Sequence, residues 1–357
     1  MTMLATEVMG TAVWLWIGFL VLIIGLMAFD LGILHRDSRL ITARESLKLA
    51  SFYVSLAFLF GIFLYFYKGA DTAFLFLTGY VVEQSLSLDN IFVIAVILSY
   101  FAIPREFQHR VLFYGILGVI VLRGVMILAG AAVLNQFHWI LYFFAAFLII
   151  TGIKMLMSDD DDYNVEKNWV LKFLRRHFRI TEKLHGDRFA VRETDPRTGR
   201  IHWHVTPLLL ALCVIEVADV VFAVDSIPAI FAITTDPFIV FTSNIFAVLG
   251  LRSMFFALSA LIHRFRYLKF SLSVVLVFIG AKILLADFAG IDISDGLSLA
   301  ITLGLLVGGV VVSMLRTEGE PPEVIGVDDD FRSDFDAPAY LARENGPSTN
   351  RRTDSNT

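Results

Sequence analysis

Residues 81–98 read VVEQSLSLDNIFVIAVIL, an apolar run with Glu83, Asp89 and Asn90 set in its middle. The run stays apolar outward from there, over roughly residues 72–101. As straight helix that is about 45 Å, more than a hydrocarbon core of about 30 Å requires. A carboxylate at the bilayer centre costs at least about 2.5–3.5 kcal/mol, so acids in such a place need a counter-charge, a proton or a bound cation.

The whole 357-residue chain has this character. It is 57% hydrophobic, with the excess gathered in nine blocks, roughly 12–34, 47–67, 72–101, 110–134, 138–157, 206–233, 239–262, 269–289 and 296–315. The pattern predicts an all-α polytopic bundle of about nine transmembrane spans. A single cysteine, Cys213, excludes an intramolecular disulfide framework and a cysteine-rich metal site, and it reads as core filling. The start MTMLATEVMGTAVW has no basic segment before an apolar run too long for a signal peptide. Nor does an Arg- and Ser-rich transit segment appear. A bacterial inner (plasma) membrane location is expected.

The connections set an orientation. Arg36, Arg39, Arg44 and Lys48 cluster in or beside the first, Arg105 and Arg110 in the third, Lys172, Arg175 and Arg176 in the long fifth, and Arg264, Arg266 and Lys269 in the seventh. The even-numbered connections hold only Lys68. Basic residues stay cytoplasmic, which puts the N-terminus outside and the C-terminus inside.

In the fifth connection, NVEKNWVLKFLRRHFRITEKL reads as a basic amphipathic helix for the cytoplasmic membrane face. RFAVRETDPRTGRIHWHV reads as a small hairpin turning at Asp195, Pro196 and Gly199. The tail beyond about residue 318 is polar and is expected to be disordered.

A second stretch, LCVIEVADVVFAVDSIPAIFAI (212–233), repeats the first. With Asp89-Asn90 set against Asp225-Ser226, Glu83 falls on Asp219, Arg123 on Arg252 and Lys154 on Lys282. Asp89, Arg123 and Lys154 are spaced by 34 and 31 residues; their counterparts are spaced by 27 and 30, and the difference lies in the loop YFAIPREFQHR. Each copy holds three spans. An odd number makes the second copy enter from the other side, so the fold is an inverted repeat, the architecture of many secondary transporters. The domains follow: 1–71, two N-terminal spans; 72–157, the first three-helix repeat; 158–205, a cytoplasmic loop; 206–290, the inverted repeat; 291–317, a last span; 318–357, the tail. Spans 3 and 6 are expected to bend or break at their acidic motifs, with Pro228 removing a helix hydrogen bond in the second.

Glu83, Asp89, Asn90, Glu216, Asp219, Asp225 and Ser226 are all oxygen donors. No histidine lies in the middle of a span; His138 and His263 sit at ends. Oxygen-only ligands suit Mn²⁺, Mg²⁺ or Ca²⁺ rather than Zn²⁺ or Cu⁺. On a straight helix Glu83 and Asp89 point about 120° apart, so both reach one ion only if the helix unwinds or the site is extended. Glu216 and Asp219 share a face. The opposing reading is that all of these are structural ion pairs within a bundle.

Arg123 and Arg252 read as counter-charges to the unloaded carboxylates, or as contacts to an anion. Lys154 and Lys282 snorkel or brace helices, or act in transport. Asp30, near the inner end of the first span, is solvated at the interface, or gates, or adds a ligand. Ser85 and Ser87 are expected to bond their own helix backbone. Asn244 either reaches the site or bridges helices. The acidic run at 159–162 reads as a solvated loop, and the many phenylalanines as packing and lipid contact.

EQSLSLDNIFVIAVI, VTPLLLALCVIE and VADVVFAVDSIPAIFAITTDPFIVFTSNIFAVLGLRSMFFAL resemble the TerC/Alx family of integral membrane proteins, and FDLGILHR fits as well. The resemblance runs from about residue 12 to 315; the 158–205 loop fits it less closely and the tail not at all. It implies a family linked to tellurium resistance and, in several members, to manganese export, within a wider superfamily of LysE-like exporters. It implies Mn²⁺ or another divalent cation as substrate, carries the acidic positions onto Glu83, Asp89, Glu216, Asp219 and Asp225, and suggests partners in the secretion and metalation machinery. No cofactor and no nucleic acid are expected.

The residues alone favour a secondary exporter of a hard cation. No P-loop is present, so an ion gradient has to drive it. Proton uptake by a carboxylate as metal leaves is the natural coupling, because burial and like charge favour the neutral acid. A membrane scaffold or stress-complex subunit is a second reading, and anion export through Arg123 and Arg252 a third. An intramembrane enzyme lacks a nucleophile arrangement, so no enzymatic activity is expected.

Overall fold

A computed structural model describes residues 7–34, 43–137, 139–157, 169–178, 180–181, 184–194, 201–258 and 268–316. Asp89, Asp225, Asp30 and Arg252 are placed on their helices, but their side chains lie outside the described set, as do residues 158–168, the hairpin turn and the tail. A short N-terminal hairpin, β1 (Glu7–Val8) and β2 (Thr11–Ala12), precedes α1 (Val13–Leu34) and α2 (Ala43–Lys68). Then come α3 (Ala70–Tyr100), α4 (Arg105–Gln136) and α5 (Ile140–Met157). The fifth connection holds α6 (Trp169–His177) and the strands β3 (Ala190–Thr194) and β4 (Ile201–Val205). The chain continues through α7 (Pro207–Ile233), α8 (Pro237–Leu258), α9 (Leu268–Ala289) and α10 (Asp295–Arg316).

The expected polytopic helical bundle is what the chain forms. Among the described residues, eight helices are long and apolar enough to cross a membrane, and a shorter apolar stretch, Val13–Phe29, lies in α1. Their outward faces carry exposed Val21, Ile24, Val121, Val125 and Ile150. Helices apolar on the buried and the exposed side alike are made for lipid rather than water.

The connections are short because the sequence supplies the turns. Gly69, at a φ of 101°, lets α2 reverse directly into α3. Pro207 opens α7 at a position where its missing N–H is no loss. Asp236 caps α8 by accepting the N–H of Phe238 at 2.9 Å.

The inverted repeat is visible in the packing. Gly79 of α3 lies against Ile230 of α7, while Asn90 meets Asp219, so the two helices run antiparallel. Gly118 and Gly130 of α4 lie against Glu216 and Phe231 of α7, so that pair is parallel. The equivalent pair, α3 with α8, is parallel too: Gly79 meets Ser243, and Gln84 meets Gly250 and Met254.

Two expectations about helices are corrected. The expected break is absent: both α3 and α7 run as continuous helix through their acidic motifs. Pro228 lies inside α7 and removes one backbone donor, and two long helices packed on several neighbours tolerate a single missing bond. The basic helix is shorter than its pattern suggested, α6 alone among the described residues. Its Leu171 is buried in the protein, in one cluster with Leu208 and Ala211 of α7, while Trp169 and Phe173 are exposed. The hairpin is as expected, antiparallel from Ala190 opposite Val205 to Thr194 opposite Ile201.

The hairpin marks one face of the bundle. Toward the opposite face an aromatic cluster fills the interior: the ring of Phe60 lies 5.2 Å from those of Phe76 and Phe246, and that of Phe19 lies 5.7 Å from Phe246. Lys68 closes this end, donating to Thr11 at 3.0 Å and to Asp236 at 3.2 Å.

Candidate cation site

Where α3, α4, α7 and α8 meet, Arg123 of α4 is 1% exposed. Its Nε and Nη2 donate to the two carboxylate oxygens of Asp219, each at 2.9 Å. Its Nη1 donates to Glu83 and, at 3.0 Å, to Oδ1 of Asn244. Bidentate, charge-assisted pairing of this kind is among the strongest polar contacts a protein makes. Glu83 and Asp219 are repeat equivalents, so one guanidinium joins the matching acid of each half.

α3 completes the cluster. Glu83, Ser87 and Asn90, spaced by four and three residues, stand on one helix face. Ser87 donates to Glu83 at 3.4 Å, and Asn90 donates to Asp219 at 3.5 Å. Ser85 bonds its own helix backbone at Val81, as expected; Ser87 bonds the Glu83 carboxylate instead.

The two acids are not equally open. Glu83 has no exposure, whereas the Asp219 side chain is 11% exposed. Asp219, Asn90 and Gly115 line a cavity of about 50 Å³ walled by Ile91, Ile116, Ile215 and Leu251. It lies on the hairpin side of Arg123. The repeat counterparts of Ile91, Ile94, Leu112 and Ile116 in its lining, namely Ile227, Ile230, Phe241 and Ile245, are buried in the core cluster that holds the aromatic rings.

Glu216 lies one turn from Asp219, with its carboxylate pressed against α4. A Cβ at Gly118 would stand 2.4 Å from it, and one at Gly115 3.7 Å from its Oε1. Both oxygens are buried without a hydrogen-bond partner. So are Oε2 of Glu83, Nδ2 of Asn244 and the hydroxyl of Ser226. Among the described residues, no three carboxylate, imidazole or thiolate groups are gathered as ready-made metal ligands. Glu83 and Asp219 are turned to Arg123 instead.

Of the site residues expected from sequence, the structure brings together Glu83, Asn90, Asp219 and Arg123, with Glu216 adjoining. The side chains of Asp89, Asp225, Arg252 and Asp30 lie outside the described residues. The two lysines are not part of the cluster: Lys154 is exposed, and Lys282 donates to Asp295 at the start of α10, at 3.0 Å. Lys282 therefore braces α9 against α10. Asn244, ambiguous in the sequence, is a central member. The glycine seat of Glu216 went unread, although Gly115 and Gly118 share a helix face and so leave a groove.

A family model described as "Integral membrane protein TerC family" matches residues 68–320. A Myxococcus xanthus protein named "Uncharacterized membrane protein STKORF319" is 44% identical over 324 residues, covering 91% of this chain and 96% of the relative. A Photorhabdus laumondii protein named "Putative membrane-bound redox modulator Alx" is 47% identical over 292 residues, covering 79% and 89%. A Shigella flexneri protein of the same name is 44% identical over 308 residues, covering 84% and 94%. No solved structure matches the chain.

Proposed function

Because the chain belongs to the integral membrane protein TerC family, we propose that it is a secondary transporter exporting a divalent cation, Mn²⁺ foremost, from the cytoplasm. One observation carries this reading: Arg123 joins the repeat-equivalent acids Glu83 and Asp219 deep in the bundle. Charged side chains inside a membrane bundle mark an ion pathway, and inverted repeats bring equivalent groups to one axis. Apart from the Arg123 guanidinium, the polar groups there are carboxylates, amides and hydroxyls, whose oxygens suit a hard cation. The distribution of basic residues supports a cytoplasmic hairpin face and an N-terminus outside, which fits the proposed place in a bacterial inner membrane.

Asp89 and Asp225 complete the acidic set by sequence. Their replacement gives the test: inside-out proteoliposomes of the wild type take up Mn²⁺, and Asp89→Asn and Asp225→Asn variants that insert normally do not. No uptake by correctly inserted wild-type protein refutes the transport reading.

One surface favours a second reading, a membrane scaffold or docking subunit of a stress complex. On the hairpin face Trp169 and Phe173 are exposed, and Arg192 stacks on exposed Trp203 at 4.5 Å. Under that reading, replacing these aromatics impairs function more than neutralising the carboxylates does.

A further inference from the structure

Arg123 does more than neutralise. The acids available to a cation at the centre, Glu83 and Asp219, are both occupied by its guanidinium. Yet the cluster is not satisfied, as a purely structural network would be. Glu83 is fully buried with its Oε2 unbonded, and Asn244 is fully buried with its amide nitrogen unbonded. A cavity of about 50 Å³ reaches Asp219 and Asn90. It has room for water beside these two polar side chains.

Glu216 supplies the missing half. Its carboxylate faces α4, the helix that bears Arg123, and has no partner. Asp219, which now holds the guanidinium, and Glu216 stand one turn apart on α7, with Glu216 on the side toward which the Arg123 side chain leans. If Arg123 moves to Glu216, a divalent cation can take its place between Glu83 and Asp219, and these three described acids are all engaged.

We propose that Arg123 is a tethered cation: it stands in for the substrate between Glu83 and Asp219 when the site is empty, and Glu216 receives it when a divalent ion enters. This rests on the cation-transport reading above. Glu216 is then a positioning residue acting through Arg123, not a metal ligand.

Mn²⁺ binding to purified protein in nanodiscs, read by the loss of the free-ion electron paramagnetic resonance signal, tests it as a double-mutant cycle. Arg123→Gln removes the competitor and tightens Mn²⁺ binding at least about tenfold, which is about 1.4 kcal/mol. Glu216→Gln removes the receiving group and weakens binding by at least about tenfold. The double variant binds like Arg123→Gln alone, because Glu216 has nothing left to receive. Weaker binding in the double variant than in Arg123→Gln makes Glu216 a ligand and overturns the proposal. Loss of binding in folded Arg123→Gln overturns it as well. Should Arg123→Gln fail to fold, Arg123→Lys keeps the charge. Adding Glu216→Gln to that background must then weaken binding, and an unchanged affinity refutes the proposal. Absence of binding in the wild type overturns the transport reading itself, and this inference with it.

Discussion

Gly152 and Gly280 occupy reciprocal positions across the interface of α5 and α9. A Cβ on Gly152 would lie 2.7 Å from the carbonyl oxygen of Ser273 and 2.8 Å from Val277. One on Gly280 would lie 2.6 Å from the carbonyl oxygen of Ala145 and 2.9 Å from Ile149. In the repeat alignment Ser273 and Val277 are the counterparts of Ala145 and Ile149. Each glycine thus meets the equivalent surface of the other half, as a two-fold relation between inverted repeats requires.

That reciprocity predicts equal sensitivity. Gly152→Ala and Gly280→Ala each push a methyl group against backbone that cannot step aside, at a cost typical of overpacking, about 1–3 kcal/mol. Thermal unfolding of the two variants in detergent should show similar drops in midpoint. A clear drop for one and none for the other contradicts the packing symmetry.

Gly118→Ala acts on a different kind of neighbour. The obstructed atoms are the end of the Glu216 side chain, which can swing away. The variant is expected to keep most of its stability and lose transport, and Gly118→Ala combined with Glu216→Gln should be less than additive. Paired vesicle uptake and melting measurements separate the two effects.

Asp219→Asn leaves the Arg123 guanidinium without its bidentate partner. Breaking one side of a buried ion pair costs about 3–5 kcal/mol, so this variant is expected to be markedly less stable. Adding Arg123→Leu to it should lower stability further, because fully buried Glu83 then loses its counter-charge. Melting in detergent checks the order wild type, Asp219→Asn, double variant.

The two faces of the bundle are expected on opposite sides of the membrane. A fluorescent-protein fusion ending after Asp187, which pairs with Arg110 on the hairpin face, should fold in the cytoplasm and fluoresce. A fusion ending after Asp236, which pairs with Lys68 at the other end, should be exported and dark. The reverse pattern inverts the proposed orientation.

Periodicity and charge in the sequence determined the helical bundle, its spans and the duplication, because a bilayer requires long apolar helices and tolerates buried charge only in rare places. Recurrence of Glu83 at Asp219 already singled out the acids that meet at the centre. Tertiary structure alone decided that Arg123 takes part and that Lys154 and Lys282 do not. Arg123 and Lys282 read alike as intramembrane charges, yet one lies between four helices and the other pairs with Asp295 at an end. It also decided that α7 runs unbroken past Pro228, that Asn244 holds the guanidinium and that Glu216 faces two glycines with no partner. Those outcomes depend on which helix faces which neighbour and at what height, and sequence spacing fixes only the angle of a residue about its own helix.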